Sequence, residues 1–315
     1  MSIDRVATSQ QSSYYLSQIQ TAGARLDQTN KQIASGVLAD TYAGFGDKAQ
    51  VLQATISADA RNANYATATT LAATQADMQD TQLTALSDLA AKLKKAVSDT
   101  VANNDARSLM PQVESIFSQA VAILNGKDAN GDYIYAGGRT DTAPVSVTTL
   151  SDLVALPAVA NAFTNGDSKK AVQVADGQSI SFGITASDIA TDLMQQLKDI
   201  AAFDAGVNGN FDGTDNLTGA QNIFLSARIA QVDAAAQGLT AITARNGGVY
   251  NQLQNALGQQ DTMKVLYGGF IEKVQTTDLA EAATQLSLNQ TALQAALQVT
   301  ATLNQLSLLN YLPAR

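Results

Sequence analysis

Asp128, Asn130 and Asp132, in the stretch DANGD, set three oxygen-bearing side chains at alternate positions, the spacing with which a calcium-binding loop begins. A loop opened at Asp128 needs glycine at its sixth position and an acid at its twelfth, where this chain has Tyr133 and Arg139. It fails twice, and Asp, Asn and Gly are equally the residues that tight turns require. The later NGNFDGTDN has the same oxygen-rich look. Asn216-Leu217-Thr218 and Asn289-Gln290-Thr291 fit a glycosylation sequon, the second within a helical pattern. GGRTD lacks the spacing of a phosphate-binding loop. Histidine and cysteine are absent, which removes Ser-His-Asp and Cys-His catalysis, imidazole metal sites and thiolate nucleophiles. Carboxylate-pair or Ser-Lys chemistry remains, but 28 acidic residues spread over solvated faces supply chance pairs rather than a constellation. No catalytic, metal-binding or cofactor-binding residues are therefore expected, and no enzyme activity.

The elements that carry these residues are expected to be helices. Of 315 residues 45% are apolar but only 5% aromatic, with no tryptophan, so the core must rest on Leu, Ile, Val and Ala packing. The length suits one large domain or two to three smaller ones. Prolines occur only at Pro111, Pro144, Pro157 and Pro313, leaving two very long stretches free to be helical. A net charge of −9 argues against nucleic-acid binding, which needs a basic stripe. MSIDRVATSQQSSYYLSQIQ lacks the basic flank and apolar core of a cleavable signal, and no window approaches the ~18 apolar residues of a membrane span.

Tyr15, Ile19, Ala22, Leu26 and Ile33 recur at helical spacing from Ser12 to Ile33, and Gly36 supplies a left-handed stop. After the corner VLADTYAGFGD a long helix is expected from Lys48 to Thr100. A third helix is expected to start at Asp105 as N-cap and stop at Asn125-Gly126. DYIYAGG reads as a short hairpin, and KKAVQVADGQSISFGI as strand, turn and strand around Asp176 and Gly177. The texture change from Thr142 to Thr185 suggests a separate insert from which 148–174 can be excised. Helical periodicity returns at SDIATDLMQQLKDIAAF. It resumes from Ala220 to Gln305 with expected interruptions at Gly247, Gly248, Gly268 and Gly269.

The C-terminal helix raises a packing problem. Leu279, Leu286, Leu293 and Leu297 fall on one stripe, and Leu288, Ala292, Ala296, Val299, Leu303 and Leu306 on the roughly opposite side. The N-terminal helix can cover only one of them. Burying a leucine is worth ~1.5 to 3 kcal/mol, so the second stripe and the closing LSLLNYL favour association between copies. The expected assembly interface is Tyr15, Ile19, Leu26, Ile33, Leu288, Val299, Leu303, Leu306, Leu309, Tyr311 and Leu312.

Three stretches resemble one family. NGDYIYAGGRTDTAPV at residues 130–145, the ending LSLLNYL, and the corner QIASGVLADTYAGFGDKAQVLQATI are similar to motifs of the flagellar axial proteins, the flagellin and hook-associated group. The likeness departs from that pattern where Asn310 replaces the usual acid and where Pro313, Ala314 and Arg315 follow. It implies a mainly α fold: an elongated helical bundle of paired N- and C-terminal helices with a small β-containing insert. It implies an inner assembly domain of 1–47 plus 271–315, a rod-like helical domain of 48–139 plus 188–270, and a variable insert of 140–187. The implied role is a structural adaptor at the hook-filament junction, extracellular and exported without a cleavable signal. Its implied partners are itself, another hook-associated protein, flagellin, the type III export apparatus and an export chaperone. Alternatives are a filament subunit and, from another class, a cell-wall hydrolase using carboxylates.

Overall fold

A computed structural model describes residues 3–213 and 216–309, with the side chains of residue 10, of 13–212 and of 216–302. The fold is mainly α with one small sheet. Seven helices occur among the described residues: α1 (Ile3–Ser35), α2 (Ala49–Asn103), α3 (Leu109–Leu124), α4 (Leu150–Ala155), α5 (Ala186–Asp204), α6 (Gly219–Gln275) and α7 (Leu279–Leu309). Strands β1 (Ala171–Ala175) and β2 (Gln178–Ser181) pair antiparallel. The chain divides into two compact units, residues 1–61 with 263–315, and residues 62–262.

In the first unit α1 ends where expected, with Gly36 at φ 71°, a conformation that costs a side-chain-bearing residue about 1 kcal/mol or more. The following residues cross to the end of α6. Leu38 N–H donates to Gln275 O at 2.7 Å and Thr277 N–H to Gly36 O at 2.9 Å, while the Gln32 amide donates to Leu38 O at 2.7 Å. These bonds end α6, and the Asp278 carboxylate starts α7 by accepting from the N–H groups of Ala280 and Glu281. The expected interruptions at the four glycines do not occur, because α6 runs unbroken through them. A helical glycine costs roughly 1 kcal/mol against alanine but leaves the hydrogen-bond ladder intact; ending the helix requires other partners for its backbone groups.

The second unit is built on α2 and α6, which run antiparallel. The Asn62 amide donates to Gln260 O at 2.7 Å, and the Asn246 amide to Ala76 O at 2.8 Å. Lys94 pairs with Asp233 at 2.5 Å. The amphipathic α3 and α5 bury Val113, Phe117, Leu124, Leu193 and Leu197 in the same core. Asp105 does not cap α3, which begins a turn later at Leu109. Its carboxylate accepts instead from the backbone N–H and guanidinium of Arg107, and these bonds lower its pKa to about 2.

DYIYAGG forms no hairpin strands beyond an isolated bridge between Lys127 and Tyr133. Ile134, Tyr135 and Ala136 are apolar in succession, and all three drop into the interior instead of alternating between faces. The double glycine then has a steric reason. Gly137 sits at φ 63°, and a Cβ there would lie 2.3 Å from Gly166 O, whose own N–H donates to Ala136 O. The strand-turn-strand reading of 171–181 holds, with Gly177 at φ 73° in the turn. This hairpin buries Val172, Val174 and Phe182 against Ala72, Ala73 and Ala76 of α2 and Leu253 and Ala256 of α6.

The block at 140–187 shares its interior with the helices. Val145, Val147, Leu150, Leu153, Val159 and Ala162 belong to the main core, and the Asn125 amide holds both backbone groups of Val145. Thr149 and Asp152 close a capping box that starts α4 and directs Leu150 and Leu153 inward. Excising 148–174 therefore strips the core rather than trimming the surface. The glycine geometry gives a sharper test. Gly137→Ala is expected to lower stability by ~2 kcal/mol or more, from both φ and overlap, whereas Gly131→Ala, at φ 86° in open space, loses only about 1 kcal/mol. Urea denaturation of the two variants checks the order.

Candidate assembly interface

The first unit pairs α1 with α7 along one seam. On α1 it uses Tyr15, Ile19, Ala22, Leu26, Thr29 and Ile33, and on α7 Ala282, Leu286, Asn289, Leu293, Ala296 and Thr300, all buried or half-buried. Both sets advance by alternating steps of four and three, the spacing of a coiled-coil seam. The helices are antiparallel, since residues 36–38 meet 275–277 at one end while Asn289 Nδ2 donates to Thr29 Oγ1 at 3.1 Å further along. Thr29 is fully used, because its hydroxyl also donates to Arg25 O at 2.9 Å. A buried polar pair inside an apolar seam penalises every shifted alignment, since a shift buries both groups unpaired.

This seam divides the expected stripes differently. Leu286 and Leu293 face α1, but Leu279 and Leu297 are 57% and 50% exposed, and Ala296, assigned to the outer side, is half-buried in the seam. Thr29, Ala282 and Asn289 were missed because small and polar residues carry no weight in a count of leucines. The four-three spacing through Ala22 and Thr29 was the signal that could have found them. Of the expected interface, Tyr15, Ile19, Leu26 and Ile33 lie in the seam, whereas Leu288 and Val299 are 59% and 48% exposed. Tyr14 and Leu16 on α1 are also exposed. Leu303, Leu306 and Leu309 lie on α7 with side chains outside the described residues, as Tyr311 and Leu312 are altogether.

The chemistry weighed in the sequence takes structural roles. Asp128 accepts from the N–H groups of Asn130 and Asp132 at 2.8 and 3.1 Å, which is a turn. Among the described residues no cluster of three acids could hold a metal ion. Asp152 is held below the usual carboxylate range by its bonds to Thr149, and Asp233 by its bond to Lys94. Burial raises the Tyr135 hydroxyl well above the ordinary tyrosine pKa, so it stays protonated. Asn289 is buried with its amide engaged, so the second sequon is no glycan acceptor in this fold.

Residues 229–312 match the bacterial flagellin C-terminal helical region, which spans the seam residues of α7. The resemblance to the flagellin and hook-associated group holds. The chain is 25% identical over 235 residues to flagellar hook-associated protein 3 of Salmonella typhimurium, covering 70% of this chain and 65% of that protein. It is 32% identical over 93 residues to flagellar hook-associated protein 3 of Escherichia coli, covering 28% of this chain and 29% of that one. It thus spans under two thirds of the length of these relatives. A solved flagellar hook-associated protein of Vibrio parahaemolyticus shares the fold, with a TM-score of 0.60, 18% identity, and coverage of 75% of this chain and 99% of that one. Hook-associated protein 3 of Legionella pneumophila does so with a TM-score of 0.56, 9% identity, and coverage of 71% and 98%.

The Thr29–Asn289 bond tests the seam directly. Thr29→Ala leaves a buried amide unpaired and is expected to destabilise the α1–α7 pair by ~1 to 3 kcal/mol. Amide hydrogen exchange should accelerate in α1 and α7 and stay unchanged in residues 62–262; equal acceleration in both units would contradict the assignment.

Proposed function

We propose that this chain is a structural subunit of the bacterial flagellum, an adaptor between hook and filament that assembles through the outer faces of its paired terminal helices. The observation that carries the reading is the apolar surface left on α7 after α1 has taken its seam: Leu288, Leu297 and Val299 are about half exposed or more. Each leucine buried by a neighbour contributes ~1.5 to 3 kcal/mol, and a helical array of copies supplies such neighbours. The relatives named hook-associated protein 3 support the hook-filament position over a filament subunit.

In this reading the protein works outside the cell and is delivered by the flagellar type III export apparatus, with a chaperone covering the apolar terminal helices before assembly. Copies of itself, a second hook-associated protein and flagellin are its partners. Assembly lies in 1–47 with 271–315, the rod in 48–139 with 188–270, and 140–187 is a β-containing block packed into the core of that rod. Binding at the interface is coupled to ordering, which costs ~1 to 2 kcal/mol per residue fixed, so incorporation occurs only where a neighbour offers burial.

Electron microscopy of a deletion strain tests the role. Hooks without filaments, with flagellin released into the medium, are expected; normal filaments would refute an adaptor, and long filaments grown from the purified chain would favour a filament subunit. Leu288→Asp with Val299→Asp should leave monomer melting unchanged and abolish incorporation into flagella. A large fall in monomer stability would show that these side chains are intramolecular core.

A further inference from the structure

A second site lies within residues 62–262, apart from the terminal helices. Between the β1–β2 hairpin and α6 is a cavity of about 280 Å³, with Phe182, Ile184, Ile242 and Val249 as apolar walls. Its charged members are Lys169, Asp188 and Arg245. Lys169 and Asp188 satisfy each other at 2.9 Å, and this bond helps hold the Asp188 carboxyl low against the opposing effect of burial. Arg245, in contrast, has no acidic partner among the described residues, in a chain where 28 acids face 19 bases.

Two more features of α6 bear on what this cavity holds. Asn246, also on its wall, is 2% exposed; its Nδ2 donates to Ala76 O and, more distantly, to Asp80 Oδ1, while its Oδ1 has no donor among the described residues. A buried acceptor without a partner is costly, and a ligand N–H or O–H removes that cost. Immediately after it come Gly247 and Gly248, each costing roughly 1 kcal/mol against alanine within a helix. A Cβ at either would meet nothing within 4 Å, so no packing among the described residues accounts for them. Adjacent glycines lower the helix surface beside the cavity, which admits a backbone rather than an isolated small molecule.

We propose that this cavity receives an acidic side chain from a protein segment of a second copy, whose main chain crosses α6 over Gly247 and Gly248. Arg245 binds the carboxylate, Asn246 Oδ1 accepts a backbone N–H of the same segment, and the aliphatic stem rests on Phe182 and Val249. A second copy is the occupant because every copy is acid-rich, at net −9, and because assembly brings copies together; the inference rests on the assembly reading above.

The test uses the full chain. Arg245→Glu is expected to weaken self-association in sedimentation by about tenfold, ~1.4 kcal/mol, with monomer melting unchanged, while Arg245→Lys keeps most of the affinity. Because the chain has no cysteine, Gln252→Cys, exposed one turn beyond Gly248, can carry a single photo-crosslinker without filling the glycine surface, and it should capture an Asp- or Glu-containing segment of another copy. Association indifferent to Arg245→Glu, or capture confined to the same chain or to neutral segments, overturns the pocket and leaves terminal-helix assembly standing. A wild-type chain that never associates overturns both. A shift of the Asn246 amide resonances by N-acetylaspartate in the Leu288→Asp, Val299→Asp chain, without intermolecular capture, identifies a small-acid site and also overturns the segment.

Discussion

A straight helix presents one stripe to one partner, and the terminal unit is governed by that limit. The seam of α7 is filled by Ala282, Leu286, Asn289, Leu293, Ala296 and Thr300, of which two are leucines. Small residues let the helices approach closely but bury little apolar area, so the pair is specified more than it is stabilised. The larger apolar groups Leu279, Leu288, Leu297 and Val299 project elsewhere. The pair therefore has a defined alignment and unspent apolar surface, the combination suited to a subunit completed by its neighbours.

Alignment is fixed twice, by different physics. At one end the backbone groups of Gly36 and Leu38 bond those of Thr277 and Gln275, which locks the two corners residue by residue. Along the seam Thr29 and Asn289 allow one pairing without burying an unmatched polar atom. Within residues 62–262 the same economy of contact uses size. Alanines at 72, 73 and 76 admit the β hairpin against α2, and paired glycines at 137 and 166 let two backbone segments touch.

The charged groups follow a consistent division. Asp105, Asp128, Asp152 and Asp278 accept backbone N–H groups at turns and helix starts, while Asp199 and Asp233 hold Arg228 and Lys94 against their helices. These are tasks of a scaffold, and they use carboxylates that would otherwise be candidates for acid-base chemistry. Arg245 has no such acid among the described residues, a condition it shares with other surface cations such as Arg25 and Arg61.

The sequence by itself determined the long helices, the glycine that ends α1, the hairpin turn at Asp176-Gly177 and the lack of imidazole and thiol chemistry, because each depends on local conformation or on residue type alone. It also marked the chain ends as apolar on more than one side. Only the tertiary structure decided which side is which: leucines on α7 read as one stripe split between seam and solvent, since α1 approaches along the small and polar residues between them. It likewise turned DYIYAGG from a hairpin into a buried crossing, carried α6 through its glycines, and drew 145–162 into the common core. In each case the deciding group, such as Gly166 opposite Gly137 or Thr29 opposite Asn289, lies far away in the chain, where no local pattern can register it.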